Sequence, residues 1–142
     1  MNRLEYEDWK DRWMALVDKW DVEGYESLTP DERIWFNIRG LIDSVGNGGL
    51  VSFYYNPNAD HLDDTMEALR ALGALDVIEI MNRVNSLFPG GRPSGDIDER
   101  NAVIDQWDDS VSDLLEQLDQ AFWELNDDLE DELDPVIRRL LG

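Results

Sequence analysis

The chain has 142 residues, which suits one domain with one core, and it is 42% hydrophobic with six Trp, which argues against wholesale disorder. Its net charge of −21 opposes binding to bare DNA, RNA or anionic membranes and favours basic proteins and cations. The absence of Cys excludes disulfides, zinc–thiolate sites and thiol catalysis.

The first ten residues, MNRLEYEDWK, contain no apolar core of the kind a secretory signal needs, and no stretch approaches the length of a membrane span. A soluble, cytoplasmic protein is therefore expected. The acids are 21 Asp and 12 Glu; the bases are ten Arg and only two Lys. That bias fits a salt-loving or GC-rich source as well as it fits a function.

Apolar residues recur at helical spacing almost throughout. Trp9, Trp13, Leu16, Val17 and Trp20 share one face of a first helix. Three Trp on one face exceed what a small core needs, and a homodimer is expected from them. LTPDERIWF (28–36) reads as a second start: Thr29 caps, Pro30 fits the first turn, and Glu32 closes a capping box. The stripe through Ile34, Trp35, Ile38, Leu41, Ile42 and Val45 is expected to stop at Gly46. NGG (47–49) then reads as a tight turn, and LVSFYYN as a short helix, since no other strand pattern exists to pair with it.

Residues 60–73 predict a helix ended by Gly73, and residues 74–88 another with Leu75, Ile78, Met81 and Val84 inward. FPGGRPSG is the one clear loop. Helices are expected from about Asp96 to Asp108 and from Asp109 to about Leu133, with Asp134-Pro135 restarting a short last helix. The expected fold is a single all-α domain of about seven or eight helices over residues 1–142.

The segment from Asp105 to Asp134 poses the functional question. It holds thirteen carboxylates and no Lys, Arg or His. On a helical wheel Asp109, Asp113, Glu116, Gln120, Glu124, Asp127 and Asp131 fall within about 60° of one direction. Leu114, Leu115, Leu118, Phe122, Leu125, Leu129 and Leu133 fall on the other side. The wet face is a ribbon with one acid every three or four residues, roughly 5 to 6 Å apart. Phosphates along one nucleic-acid strand are similarly spaced, so a basic DNA-binding groove suits this ribbon. Trp123 lies at the ribbon's edge, where it can stack on a partner's Arg. Asp105 extends the ribbon from the preceding helix.

A charged outer face is also what any solvated surface helix shows. Against that reading, the ribbon lacks Lys or Arg at i±4. Residues 96–134 also hold 16 of the 33 acids and a single base, Arg100.

Other candidates are weaker. His61, the one histidine, has no nucleophile arranged around it and reads as a surface residue at a helix start. Asn56, Asn58, Asp60, Asp64 and Glu67 match five calcium-loop positions, but His61 stands where that loop needs Gly, and Asn58 or Asp60 as a helix cap explains the stretch better. No metal or cofactor is expected. Asn47, Gly48, Gly49, Phe53 and Tyr54 form either a small pocket or a helix–turn–helix corner packed in the core.

LTPDERIWF, GNGGLVSFYYN, ALRALGA, FPGGRPSGDIDER and AFWELNDDL, in this order and spacing, resemble the all-helical, acidic DNA mimic protein 19 family over about residues 28–141. Leu50 stands where that family usually has an aromatic. The resemblance implies a non-enzymatic protein whose carboxylates imitate DNA phosphates and occupy a basic DNA-binding protein, such as a repressor, nucleoid protein or nuclease. Two further readings stay open: an immunity or antitoxin-like binder of a basic toxin, and a helical scaffold with a halophilic surface.

Overall fold

The computed structural model describes residues 2–142. Seven α-helices and three short 3₁₀ turns make up the chain, with no strand among the described residues. The helices are α1 (Tyr6–Glu23), α2 (Pro30–Gly48), α3 (Leu50–Tyr55), α4 (Leu62–Leu72), α5 (Leu75–Asn85), α6 (Ile97–Ile104) and α7 (Asp109–Leu141). No helix among the described residues is long and apolar enough to cross a membrane.

Two long helices organise the core. α2 packs against α3, α4 and α7, and it buries Trp35, Ile38 and Leu41 completely. Its start is the expected capping box: Thr29 Oγ1 accepts the Glu32 amide at 3.3 Å, and Glu32 Oε1 accepts the Thr29 amide at 2.9 Å. α7 lays Leu118, Phe122, Leu129 and Leu133 into the same core. α5 covers one flank of α7, and α1 crosses the other end.

Glu32 does more than cap. It is almost wholly buried and takes Lys19 at 2.8 Å and Arg12 at 3.0 Å, both from α1. Burial alone would raise its carboxyl, but Lys19, the Thr29 amide and Arg12 outweigh it and pull the pKa down to about 2. Beside this knot Trp9 and Trp13 pack on Trp35, with ring centroids at 5.9 and 5.2 Å. Of the apolar face expected on α1, Leu16 is buried, and Trp9 and Trp13 cover the core without being sealed in it. Trp13, expected on the apolar face of α1, and Ile78, expected inward on α5, are half-buried against the core, whereas Trp20 stays exposed beside Phe36.

Several expected boundaries shift. α2 does not stop at Gly46 but runs to Gly48, and the chain turns at Gly49 alone, where φ is +81°. α7 does not restart at Pro135; it is one helix of 33 residues. Proline inside a helix costs about 3 kcal/mol. Here Val136 and Ile137 are buried just beyond it, Arg138 pairs with Asp134 at 2.6 Å, and Arg139 pairs with Asp31 on α2 at 3.0 Å. In α5 the inward set includes Val77 and Ile80, while Leu75 is 70% exposed.

Candidate functional site: the acidic face of α7

The residues predicted to stand in for phosphates all reach solvent. Asp109, Asp113, Glu116, Glu124, Asp127 and Asp131 lie exposed along α7. α7 is fixed at its start by Asp108, whose carboxylate accepts the amides of Ser110 and Val111 at 3.0 and 3.3 Å. At about 1.5 Å per residue the helix is about 50 Å long. Asp105 sits on the C-terminal cap of α6, outside α7, and accepts the Tyr55 hydroxyl at 3.0 Å. That bond is the first cause of the raised Tyr55 hydroxyl pKa, with the Asp105 charge adding to it.

The ribbon is not uniform. Near its far end Arg3 reaches Asp131 at 3.1 Å and Asp127 at 3.6 Å. Asp109, Asp113, Glu116 and Glu124 have no cation within 4 Å among the described residues, so the N-terminal and middle stretch is the uncompensated part.

Arg100, the one base in this part of the sequence, gives the ribbon nothing. It is completely buried, and its guanidinium donates to the carbonyls of Tyr54 (2.9 Å), Ser94 (3.0 Å) and Asn56 (3.0 Å) and to Asp60 (2.8 Å). It ties α6 to α3 and to the turn before α4.

Trp123 is 45% exposed, and its indole lies against Gly46, 3.6 Å from where a Cβ would stand. Gly46 thus gives the indole a flat seat within α2. The atoms nearest Gly46 are Cη2 and Cζ2 at the far edge of the indole, and nearly half of the side chain is open to solvent.

The second candidate, the glycine–aromatic corner, resolves into packing. Asn47 and Gly48 are exposed on the last turn of α2, while Leu50, Phe53 and Tyr54 are fully buried. Tyr54 donates its hydroxyl to Asn85 at 2.5 Å, and burial raises its pKa above the ordinary tyrosine range. Phe53 and Tyr54 therefore line the core and not an open pocket. The aromatic that surfaces here is Tyr55.

The calcium-like stretch is likewise spoken for. Asp60 holds Arg100, Asp64 accepts the Tyr25 hydroxyl at 2.6 Å, Glu67 pairs with Arg70, and Asn58 accepts from Ser44. Neither Asn58 nor Asp60 caps α4, whose start carries no side-chain cap. His61 stacks flat on Tyr25 with ring centroids 3.6 Å apart. Among the described residues no group of three or more His, Cys, Asp or Glu is arranged to hold a metal ion.

Asp119 is the functional-looking acid that spacing alone does not sort. It lies beside the ribbon on the same helix, yet its carboxylate turns inward to accept the Leu50 amide at 2.7 Å. In the sequence only Gly49, directly before Leu50, hints at the close approach; in the structure its φ is +81°.

In comparisons with known proteins, the family model described as DMP19-like protein matches residues 26–140. The curated proteins give no match, and the solved structures give none. The match leaves out α1 and the arm before it and takes in the other six helices, the capping box and the acidic face, and the chain belongs to the DMP19-like protein family.

Proposed function

We propose that the protein is a DNA mimic: the acidic face of α7 occupies the DNA-binding surface of a basic protein, in place of phosphates and without catalysis. The family supports the general reading. The observation that carries the specific one is the set of exposed carboxylates Asp109, Asp113, Glu116 and Glu124, none of which has a cation within 4 Å among the described residues.

The charge spacing supports it further. Asp109, Asp113 and Glu116 stand exposed three or four residues apart, roughly 5 to 6 Å along the helix, similar to the separation of phosphates along one nucleic-acid strand. A partner's Arg and Lys meet this spacing without rearranging, and Trp123 offers a surface for a guanidinium.

The test uses basic proteins retained from a source-cell lysate at low salt. Duplex DNA is expected to displace them, and retention is expected to fall steeply as salt rises. Changing Asp109→Asn, Asp113→Asn and Glu116→Gln together is expected to weaken retention at least about tenfold. Unchanged affinity and salt slope in that variant would overturn the reading. A partner that DNA cannot displace would instead point to a toxin-like target. A homodimer through α1 remains part of the proposal, now resting on Met14 and Trp20, which stay exposed. A monomer mass by light scattering at high salt removes it.

A further inference from the structure

α5 lies beside α7, and a shallow groove runs between them. Two adjoining cavities of about 280 and 260 Å³ share Asp76 and Leu125. The floor is apolar: Ile80 and Leu118 are buried, Ala121 and Leu125 are half-buried, and Leu75 stands 70% exposed at one end. Both rims are acidic. Asp76 and Glu79 line the α5 side, and Glu124, Asp128 and Glu132 line the α7 side.

Among the described residues none of these five carboxylates has a cation within 4 Å, unlike Asp127 and Asp131, which hold Arg3. The one base of the lining is Arg83 at the far end. The acids also press on one another: burial first, then Asp128, Asp131 and Asp76, raise the Glu132 carboxyl pKa.

The groove is open and elongated, and neither cavity alone reaches the roughly 300 Å³ at which small-molecule sites begin. Its dimensions suit a helix. α5 gives it about 16 Å of length, close to three helical turns. We propose that this groove docks a basic amphipathic helix of the partner, with an apolar ridge on the floor and Arg or Lys against both rims. The proposal takes its partner's chemistry from the DNA-mimic reading. It adds that recognition is by shape and apolar contact, beyond charge alone.

The experiment uses the full chain and two synthetic peptides of about five helical turns. Both have the same length and the same Arg and Leu content. One gathers its leucines into a ridge; the other scatters them. Affinities are measured by calorimetry. The ridge peptide is expected to bind at least about tenfold tighter than the scattered one. Leu75→Gln, at a position too exposed to endanger folding, is expected to remove most of that difference and leave the scattered peptide unaffected. Asp76→Asn with Glu79→Gln is expected to weaken the ridge peptide more than the scattered one.

Equal binding of the two peptides, or a ridge peptide indifferent to both variants, would overturn the groove. Equal binding with a steep salt slope would do so while leaving the DNA-mimic reading intact. Conversely, ridge discrimination that persists while DNA fails to displace the natural partner would sink mimicry and leave the groove standing.

Discussion

Asp119 on α7 accepts the Leu50 amide at 2.7 Å, so the acidic helix caps the N-terminus of α3. The close approach requires Gly49: its φ is +81°, and a Cβ there would collide with the Asp119 carboxylate. Burial raises the Asp119 carboxyl pKa, and the Leu50 amide partly offsets it. Asp119→Ala is expected to cost about 1–2 kcal/mol in urea unfolding, the usual loss for a helix cap. Gly49→Ala is expected to cost about 1–3 kcal/mol, through strain at positive φ and the collision. An Asp119→Ala protein as stable as the parent would show that the cap contributes nothing.

The exposed acids next to it should behave in the opposite way. Asp109, Asp113 and Glu116 repel their neighbours and hold no cation. Replacing them by Asn, Asn and Gln is expected to raise the Tm. Added NaCl is expected to raise the Tm of the parent more than that of the variant, because screening relieves the same repulsion. A lower Tm in the variant would mean that these carboxylates make contacts within the fold. Helix α7 thus contains acids of two kinds, and stability measurements separate them.

Much of this was legible in the sequence, and the exceptions share a cause. The helical period gives the all-α fold, and the Thr29–Glu32 spacing gives the start of α2, because both are local properties. The wet side of α7 follows from the same period. Leu75 misled because α5 is short and carries apolar residues in two overlapping phases, and only contact with α7 chooses Val77 and Ile80 over Leu75. Gly46 and Pro135 read as helix ends by propensity, yet packing overrides both: Trp123 lies against the first, and buried Val136 and Ile137 hold the second. Asp119 and Arg100 went unsorted because the Asp119 partner lies 69 residues away and three of the four Arg100 partners lie 40 or more residues away.

Arg100 is the severest of these distant effects. Its guanidinium makes four hydrogen bonds at zero exposure, three of them to carbonyls that would otherwise lack this donor. Arg100→Ala leaves Asp60 without its cation, the Tyr54 and Ser94 carbonyls without this donor, and a cavity where a wholly buried side chain stood. A loss of about 2–4 kcal/mol is expected in urea unfolding, from the cavity and the lost hydrogen bonds rather than from Asp60, which is exposed. Arg100→Lys should recover little, since an ammonium lacks the planar fork that spans Tyr54, Asn56 and Ser94. A loss below about 1 kcal/mol for Arg100→Ala would show that water replaces the network.

The pH dependence of stability should have a maximum on the acid side of neutrality, set by two opposed groups of carboxyls. Asp43, Asp119 and Glu132 have raised folded pKa values, each chiefly through burial. A raised carboxyl favours the protonated form in the folded state. Its contribution is fully present below the unfolded pKa and is lost as pH rises through the folded one. Lowering the pH from neutral therefore stabilises the fold, and protonating the repelling surface acids adds to this. Glu32 works in the other direction. Its folded pKa is about 2 against an ordinary 4.5, so its contribution is present above 4.5 and lost as pH falls towards 2. Asp31, lowered chiefly by its hydrogen bond from Arg139, adds to the same limb. Stability by urea unfolding is thus expected to rise from neutral pH to about 4.5 and to fall below it. Glu32→Gln is expected to flatten the acid limb and leave the rise from neutral pH in place. A stability that decreases steadily from neutral pH downward would mean that the ion pairs of the fold outweigh the mutual repulsion of its 33 acids.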